Sequence, residues 1–282
     1  MSPLGRFYYA LCSTRFGHLL ARGLARSLRR ARILPEGYPP TDALALDHKP
    51  LKGLLELWPR IHWSPGDGMM PAEQLLAIYG LAATWPVRGD VVELGSWTGL
   101  TTCYLATACR VRGEGKVYAV DTFTGTMEGD TTYPSIARFG GNTFEAFEDQ
   151  ICRAGADDVV EPLIGLTREL AATYPGERIR LLLIDADHSY EGVRGDFELW
   201  SPLVAPGGLI VFHDYLMPEV ARYVDGHVKP DSRFDIHPGH VVPNVMAVTK
   251  RVSEPRTVSP SAVDVLPKPL ERSTELDEVR VR

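Results

Sequence analysis

Chemistry in this sequence concentrates first in Glu93-Leu94-Gly95-Ser96-Trp97-Thr98-Gly99, where two glycines bracket a turn and an acid stands two residues before it. In an open α/β sheet, ligands sit at the carboxyl ends of the strands, and a glycine turn there lets the backbone approach them. A dinucleotide fingerprint would need glycine where Trp97 stands, so close approach of a pyrophosphate is impeded. The neighbouring acid suits a positively charged ligand better than a phosphate. Asp121 follows 26 residues after Gly95, and an acid at the end of the second strand can hold the two hydroxyls of a ribose. Glycine turn plus spaced acid reads as a nucleoside site, with the capping of a local turn as the structural alternative for Asp121.

Strand and helix signals alternate around these residues. Short apolar runs at 91–94, 116–120, 159–164, 180–184, 209–212, 234–236 and 245–250 predict seven strands. Helical periods at about 100–110, 144–154, 167–174 and 190–203 separate the first five, which makes a parallel sheet with right-handed crossovers. A loop with Pro238, Gly239 and Pro243 joins the last two strands and predicts an antiparallel pair at one edge. Upstream, Pro71 and Glu73 announce a helix to about Thr84, and a shorter helix is expected near 51–58. The fold class is therefore α/β, a doubly wound, mostly parallel seven-stranded sheet with an antiparallel edge strand. To it is added an N-terminal helical arm.

The chain has 282 residues, 44% of them hydrophobic, and a formal charge of −6. Seven of the 30 basic residues are arginines within residues 1–35, which hold no acid, leaving 23 against 36 Asp and Glu in the rest. So acidic a body argues against nucleic-acid binding, which needs a basic footprint. Leu20, Leu24 and Leu28 share a helical face opposite Arg15, Arg22, Arg26, Arg29 and Arg30. This basic amphipathic arm suits docking on its own domain, on a second subunit of a homo-oligomer, or peripherally on an anionic membrane. No apolar run is long enough for a transmembrane helix, no secretory leader is visible, and the four cysteines form no CxxC; a cytoplasmic protein is expected. Three regions are expected: arm and linker over 1–66, a ligand-binding domain over 67–251, and a disordered tail over 252–282.

Glu93 to Gly99 followed by Asp121 resembles motif I and the acidic motif of class I S-adenosylmethionine-dependent methyltransferases. A second run narrows the likeness: Ile184-Asp185-Ala186-Asp187-His188-Ser189-Tyr190-Glu191-Gly192-Val193, then Asp196, Trp200, Leu203, Pro206-Gly207-Gly208 and Phe212-His213-Asp214-Tyr215. It is similar to bacterial enzymes of the macrocin O-methyltransferase kind and, more distantly, to the catechol and caffeoyl-CoA O-methyltransferases, over roughly residues 65–250. The resemblance implies S-adenosylmethionine as cofactor. Glu93 would hold its methionine part and Asp121 its ribose, Gly95, Ser96 and Gly99 would line the turn, Thr167 would lie near the adenine, and Asp185 would reach the cofactor as well as a metal.

In the metal-dependent relatives a divalent ion is held by positions that here are Asp185, His213 and Asp214. An oxygen-only site suits Mg²⁺, whereas the imidazole of His213 admits Mn²⁺, Fe²⁺ or Zn²⁺. His188 stands where catechol-type enzymes carry a lysine base, and an imidazole titrating near neutral pH could take a hydroxyl proton; Asp187 is the rival base. The glycine-containing stretch 122–143 reads as a substrate lid, with Gly68, Met69 and Met70 closing the other side. The resemblance thus implies metal-assisted O-methylation of a small-molecule hydroxyl, such as a sugar or natural product. A NAD(P)-dependent oxidoreductase and an inactive, membrane-docked interaction protein are the alternatives.

Overall fold

The computed structural model describes residues 49–57, 60–61, 70–125, 136–236 and 242–252. The basic arm, the tail, residues 126–135 of the expected lid, and Gly68 and Met69 lie outside the described residues.

The apolar runs form strands because both faces of each central strand are covered. Along β1 (Asp90–Leu94), β4 (Ile179–Ile184) and β5 (Val204–Phe212), side chains alternate between two helical layers. Val91, Leu181, Leu183, Leu209 and Val211 pack with one layer. It comprises α1 (Lys49–Leu57), α2 (Ala72–Thr84), α3 (Leu100–Arg112) and α4 (Phe144–Ala154). Val92, Leu182, Ile184, Ile210 and Phe212 pack with the other, made of α5 (Thr167–Leu170), α6 (Tyr190–Trp200) and α7 (Pro218–Tyr223). With β2 (Val117–Asp121), β3 (Val160–Ile164), β6 (Phe234–Ile236) and β7 (Met246–Lys250), the sheet has seven strands in the order β3-β2-β1-β4-β5-β7-β6.

The first five strands run parallel, and β7 runs antiparallel between β5 and β6. The expected antiparallel pair is present at the edge, and within it β7 is the reversed strand. A dinucleotide fold would instead continue with a sixth parallel strand beside β5. Strand order reverses between β1 and β4, so the crevice above their carboxyl ends is where a ligand belongs.

Three elements depart from expectation. The helix expected over 167–174 is a single α turn followed by a 3₁₀ turn, Ala171–Thr173, because Pro175 and Gly176 leave no room to continue. α7 and the π turn after it, Val224–Val228, were not foreseen; their stripe of Val220, Tyr223, Val224 and Val228 is buried against the sheet. In the stretch assigned to the linker, Leu57 and Ile61 are buried in the core, and the Tyr79 hydroxyl donates to the Pro50 carbonyl at 2.6 Å. Among the described residues no helix is long and apolar enough to cross a membrane.

Candidate active site

The β1 turn and the loop after β4 meet in backbone contact. Gly95 has φ +88°, and a Cβ placed on it would lie 2.1 Å from the Asp185 carbonyl oxygen. Asp185 N–H donates to Leu94 O at 2.9 Å and Gly95 N–H to Val120 O at 2.9 Å, which prolongs the sheet ladder into the loops. Glycine is thus required at 95 for two strand ends to converge. Above them lies a cavity of about 470 Å³ lined by Gly95, Ser96, Asp121, Thr167, Asp185, Asp187, His188, His213 and Asp214, with Met70 at its wall.

Asp121 braces the glycine turn. Its Oδ2 accepts from Ser96 N at 2.8 Å and Trp97 N at 2.7 Å, and its Oδ1 from Phe123 N at 2.8 Å. The turn-capping role set out above for Asp121 is therefore present, on a carboxylate that also lines the cavity and whose three N–H partners leave at most one lone pair, on Oδ1, for a further donor. Burial pushes its pKa up against the effect of those N–H bonds. Trp97, in the left-handed region at φ +50°, packs edge-on to Phe139 at 5.8 Å, and its indole Nε1 is buried without a partner.

Glu93 and Gly99 do not line the cavity. Strand alternation sends Glu93 to the same face as Val91, under the turn, where it is 1% exposed and accepts from Thr102 Oγ1 of α3 at 2.5 Å. In this arrangement it ties β1 to α3. Gly99, at φ +81°, caps α3 against Phe147. Burial pushes the Glu93 carboxyl up to about 8, outweighing the Thr102 bond. A raised acid stabilises the fold fully below its ordinary value of 4.5 and loses that contribution as pH rises towards 8. The Tm of Glu93→Gln should therefore overtake that of the wild type as pH climbs from 5 to 8, the stability gap changing by up to about 1.4 kcal/mol per pH unit. Parallel melting curves across that range would show that the carboxyl ionises normally.

Thr167 and Asp187 are fixed by neighbours. Thr167 Oγ1 donates to Asp196 Oδ1 at 2.5 Å, and Trp200 Nε1 donates to Thr167 O at 3.1 Å. Asp196 has burial pushing its carboxyl up to about 7. Asp187 Oδ1 accepts from Ser189 N at 2.8 Å, while Ser189 caps α6 by accepting from Gly192 N at 3.0 Å.

The remaining polar groups form one cluster at the mouth. His213 Nδ1 lies 2.8 Å from Asp185 Oδ1 and 3.3 Å from Asp214 Oδ2. His188 Nε2 lies 3.2 Å from Asp214 Oδ2 and 3.5 Å from Asp185 Oδ1. Ligand atoms of Asp185, His188 and Asp214 all fall within 4.8 Å of one another. The sequence expectation names Asp185, His213 and Asp214; the trio whose ligand atoms meet has His188 in the place of His213, with His213 Nδ1 lying against both carboxylates. Burial opposes charge on both imidazoles, but the two carboxylates outweigh it and push each up to about 10. Burial likewise opposes ionisation of Asp185 and Asp214, and the facing imidazoles hold both below the usual carboxylate range. Two carboxylates this close demand positive charge between them, and two neutral imidazoles plus a divalent cation satisfy that demand with suitable donors.

Two residues that sequence reasoning missed brace this cluster. Gln74 of α2 bonds to His213 Nε2 at 2.7 Å. Asn244 Nδ2 donates to Asp214 Oδ1 at 2.6 Å, holding an aspartate whose φ is +51°. A glutamine within the apolar stripe of α2 was the one available signal for the first; Asn244 gave none.

A family model described as a methyltransferase domain matches residues 92–215, from β1 to just past Asp214. Over that stretch the chain is similar to methyltransferase domains. In sequence, the chain is similar to the 8-demethyl-8-(2,3-dimethoxy-alpha-L-rhamnosyl)-tetracenomycin-C 4'-O-methyltransferase of Streptomyces olivaceus. The two are 27% identical over 141 residues, 46% of this chain and 54% of that protein, so the chain spans about half the length of that curated relative. In fold it is similar to the O-methyltransferase NovP, with TM-score 0.56 and 21% identity over 66% of this chain and 83% of that one. It is similar also to the O-methyltransferase TomG of Streptomyces achromogenes, with TM-score 0.50 and 15% identity over 73% of this chain and 91% of that one.

Proposed function

We propose that the methyltransferase domain moves a methyl group from S-adenosylmethionine to a hydroxyl of a small molecule, a sugar carried by a natural product being the favoured acceptor, with a divalent cation at the mouth. One observation carries this reading: the nucleoside-type turn at Gly95 and Asp121 and the cluster of Asp185, His188, His213 and Asp214 open into the same cavity. The sugar acceptor is supported by the 4'-O-methyltransferase relative. Leu216 and Met217, which follow the cluster directly, are 64% and 36% exposed and give an apolar rim suited to an aglycone. The free thiols Cys103, Cys109 and Cys152 suit a reducing compartment such as the cytoplasm. To the arginine-rich arm we assign docking on a second subunit or on an anionic membrane.

The chain's own residues would divide the work. When bound, S-adenosylmethionine supplies a methyl on positively charged sulfur, so the protein needs no nucleophile and mainly positions the reacting pair. Asp121 would accept one ribose hydroxyl on the Oδ1 lone pair its N–H partners leave, and Thr167 would border the base. Asp185, His213 and Asp214 would hold the cation, Mn²⁺, Fe²⁺ or Zn²⁺ being favoured over Mg²⁺ by the imidazole, and such an ion would supply charge that lowers the pKa of the acceptor hydroxyl. His188 Nε2 takes the hydroxyl proton; it is preferred over Asp187, whose Oδ1 is committed to the Ser189 N–H.

Calorimetry with S-adenosylhomocysteine and NAD⁺ tests the cofactor. The first should bind one per chain and the second should not, since Trp97 replaces the pyrophosphate glycine and β7 runs antiparallel. Asp121→Ala should weaken binding by roughly 1.5 to 3 kcal/mol or more, the loss of one hydrogen bond to a charged group together with the brace on the glycine turn. Binding of NAD⁺ alone would replace this reading with the oxidoreductase one.

A further inference from the structure

The imidazole of His213 is held from behind by a residue outside the matched region 92–215. Gln74 lies in the first turn of α2 and is 6% exposed. Its Nε2 donates to the Pro243 carbonyl at 3.0 Å. A carbonyl can only accept, so this contact orients the carboxamide and turns Oε1 towards His213, 2.7 Å from Nε2. An amide oxygen can only accept too, so His213 Nε2 must carry a hydrogen. The ring edge left for the cluster is Nδ1, which faces Asp185 Oδ1 and Asp214 Oδ2.

We propose that Gln74 is a positioning residue: its carboxamide, oriented by the Pro243 carbonyl, accepts the Nε2–H of His213 and so presents Nδ1 of that ring to a cation held between Asp185 and Asp214. The inference rests on the reading of this cluster as a cation site. A histidine ligand needs its second nitrogen tied to an acceptor, which fixes tautomer and ring orientation, and removing such a partner costs about 10- to 100-fold in metal affinity. Gln74 also reaches the cluster from the helix before β1, while Pro243 lies in the segment before β7. The packing of both flanking segments thereby sets the geometry of a site whose carboxylates lie at the ends of β4 and β5.

Binding of Co²⁺ and Zn²⁺ to the purified full chain tests this, read by calorimetry and by the visible spectrum of the Co²⁺ form. Gln74→Met keeps the length of the side chain and offers only a weak thioether acceptor; Gln74→Glu keeps a strong acceptor for His213 but loses the donor to the Pro243 carbonyl. The methionine variant should bind Co²⁺ about 10- to 100-fold more weakly and with an altered spectrum, whereas the glutamate variant should fall between it and wild type. In the Zn²⁺-loaded wild type, ¹H–¹⁵N correlation spectra should show the His213 proton on Nε2. S-Adenosylhomocysteine affinity should be unchanged in both variants, which shows that the fold is intact, because Gln74 does not line the cavity. Equal Co²⁺ affinity and spectrum in Gln74→Met and wild type, or a proton on Nδ1, would overturn the assignment. Failure of the wild type to bind any divalent ion would overturn the cation reading and the inference with it.

Discussion

Gly95→Ala is expected to lose the cofactor site and several kcal/mol of stability together. The added Cβ would stand 2.1 Å from the Asp185 carbonyl oxygen, 2.7 Å from its carbon and 2.9 Å from Ala186 Cα. All three are backbone atoms, so no side chain can swing aside. Relief requires the β1 turn and the β4 loop to separate, which breaks the Asp185 N–H to Leu94 O bond and shifts the atoms that face a ligand. Overlap of this kind, added to a backbone at φ +88°, should cost about 3 to 5 kcal/mol. For a domain of this size that lowers Tm by about 6 °C or more. Gly140→Ala is the matched control: φ is +65° there, but nothing lies within 4 Å of the added Cβ. It carries only the left-handed penalty, about 1 to 2 kcal/mol. Equal melting temperatures for the two variants would mean that the β1 and β4 loops are not in contact in solution.

His188→Ala should reduce methyl transfer by about 10² to 10⁴, the usual worth of a positioned general base. Turnover should rise with pH as the imidazole gives up its proton, and the variant should lack that rising limb. Carboxylates alone push His188 up to about 10 from its ordinary 6.5, and cation charge at Asp185 and Asp214 pulls it back, so the limb belongs between those values. Affinities for S-adenosylhomocysteine and for Co²⁺ should stay within a few-fold of wild type. A Co²⁺ affinity that collapses along with turnover would make His188 a fourth ligand, a role its 3.2 and 3.5 Å approaches to the carboxylates also permit.

Strand positions were legible because Val91, Val92 and Leu181 to Ile184 are apolar on both faces, which few structures other than a covered parallel sheet require. The motif residues at strand ends were legible for the same reason, since the strand fixes where its last residue points. Arg180 shows the limit. It opens an apolar run yet is fully buried, with Nε on Gly89 O at 3.0 Å and Nη1 on Ala82 O at 2.6 Å. Those partners come from turns and helix ends that no periodicity encodes. The Thr102 contact of Glu93 was not legible because strand alternation, seen only with the sheet assembled, turns it towards α3. Gln74 and Asn244 escaped because their roles depend on contacts across 139 and 30 residues of chain.

The central claim is that this cavity methylates a hydroxyl with the help of the cluster at its mouth. Mass spectrometry of a rhamnosyl-tetracenomycin incubated with the chain, S-adenosylmethionine and Mn²⁺ tests it most directly. One methyl should replace one hydroxyl hydrogen, with one S-adenosylhomocysteine formed per methyl transferred. EDTA should stop the reaction, Mn²⁺ should restore it, and His188→Ala should slow it as above. Methyl transfer to nitrogen or carbon, or to oxygen at an undiminished rate with the cation chelated and His188 replaced, would contradict the account.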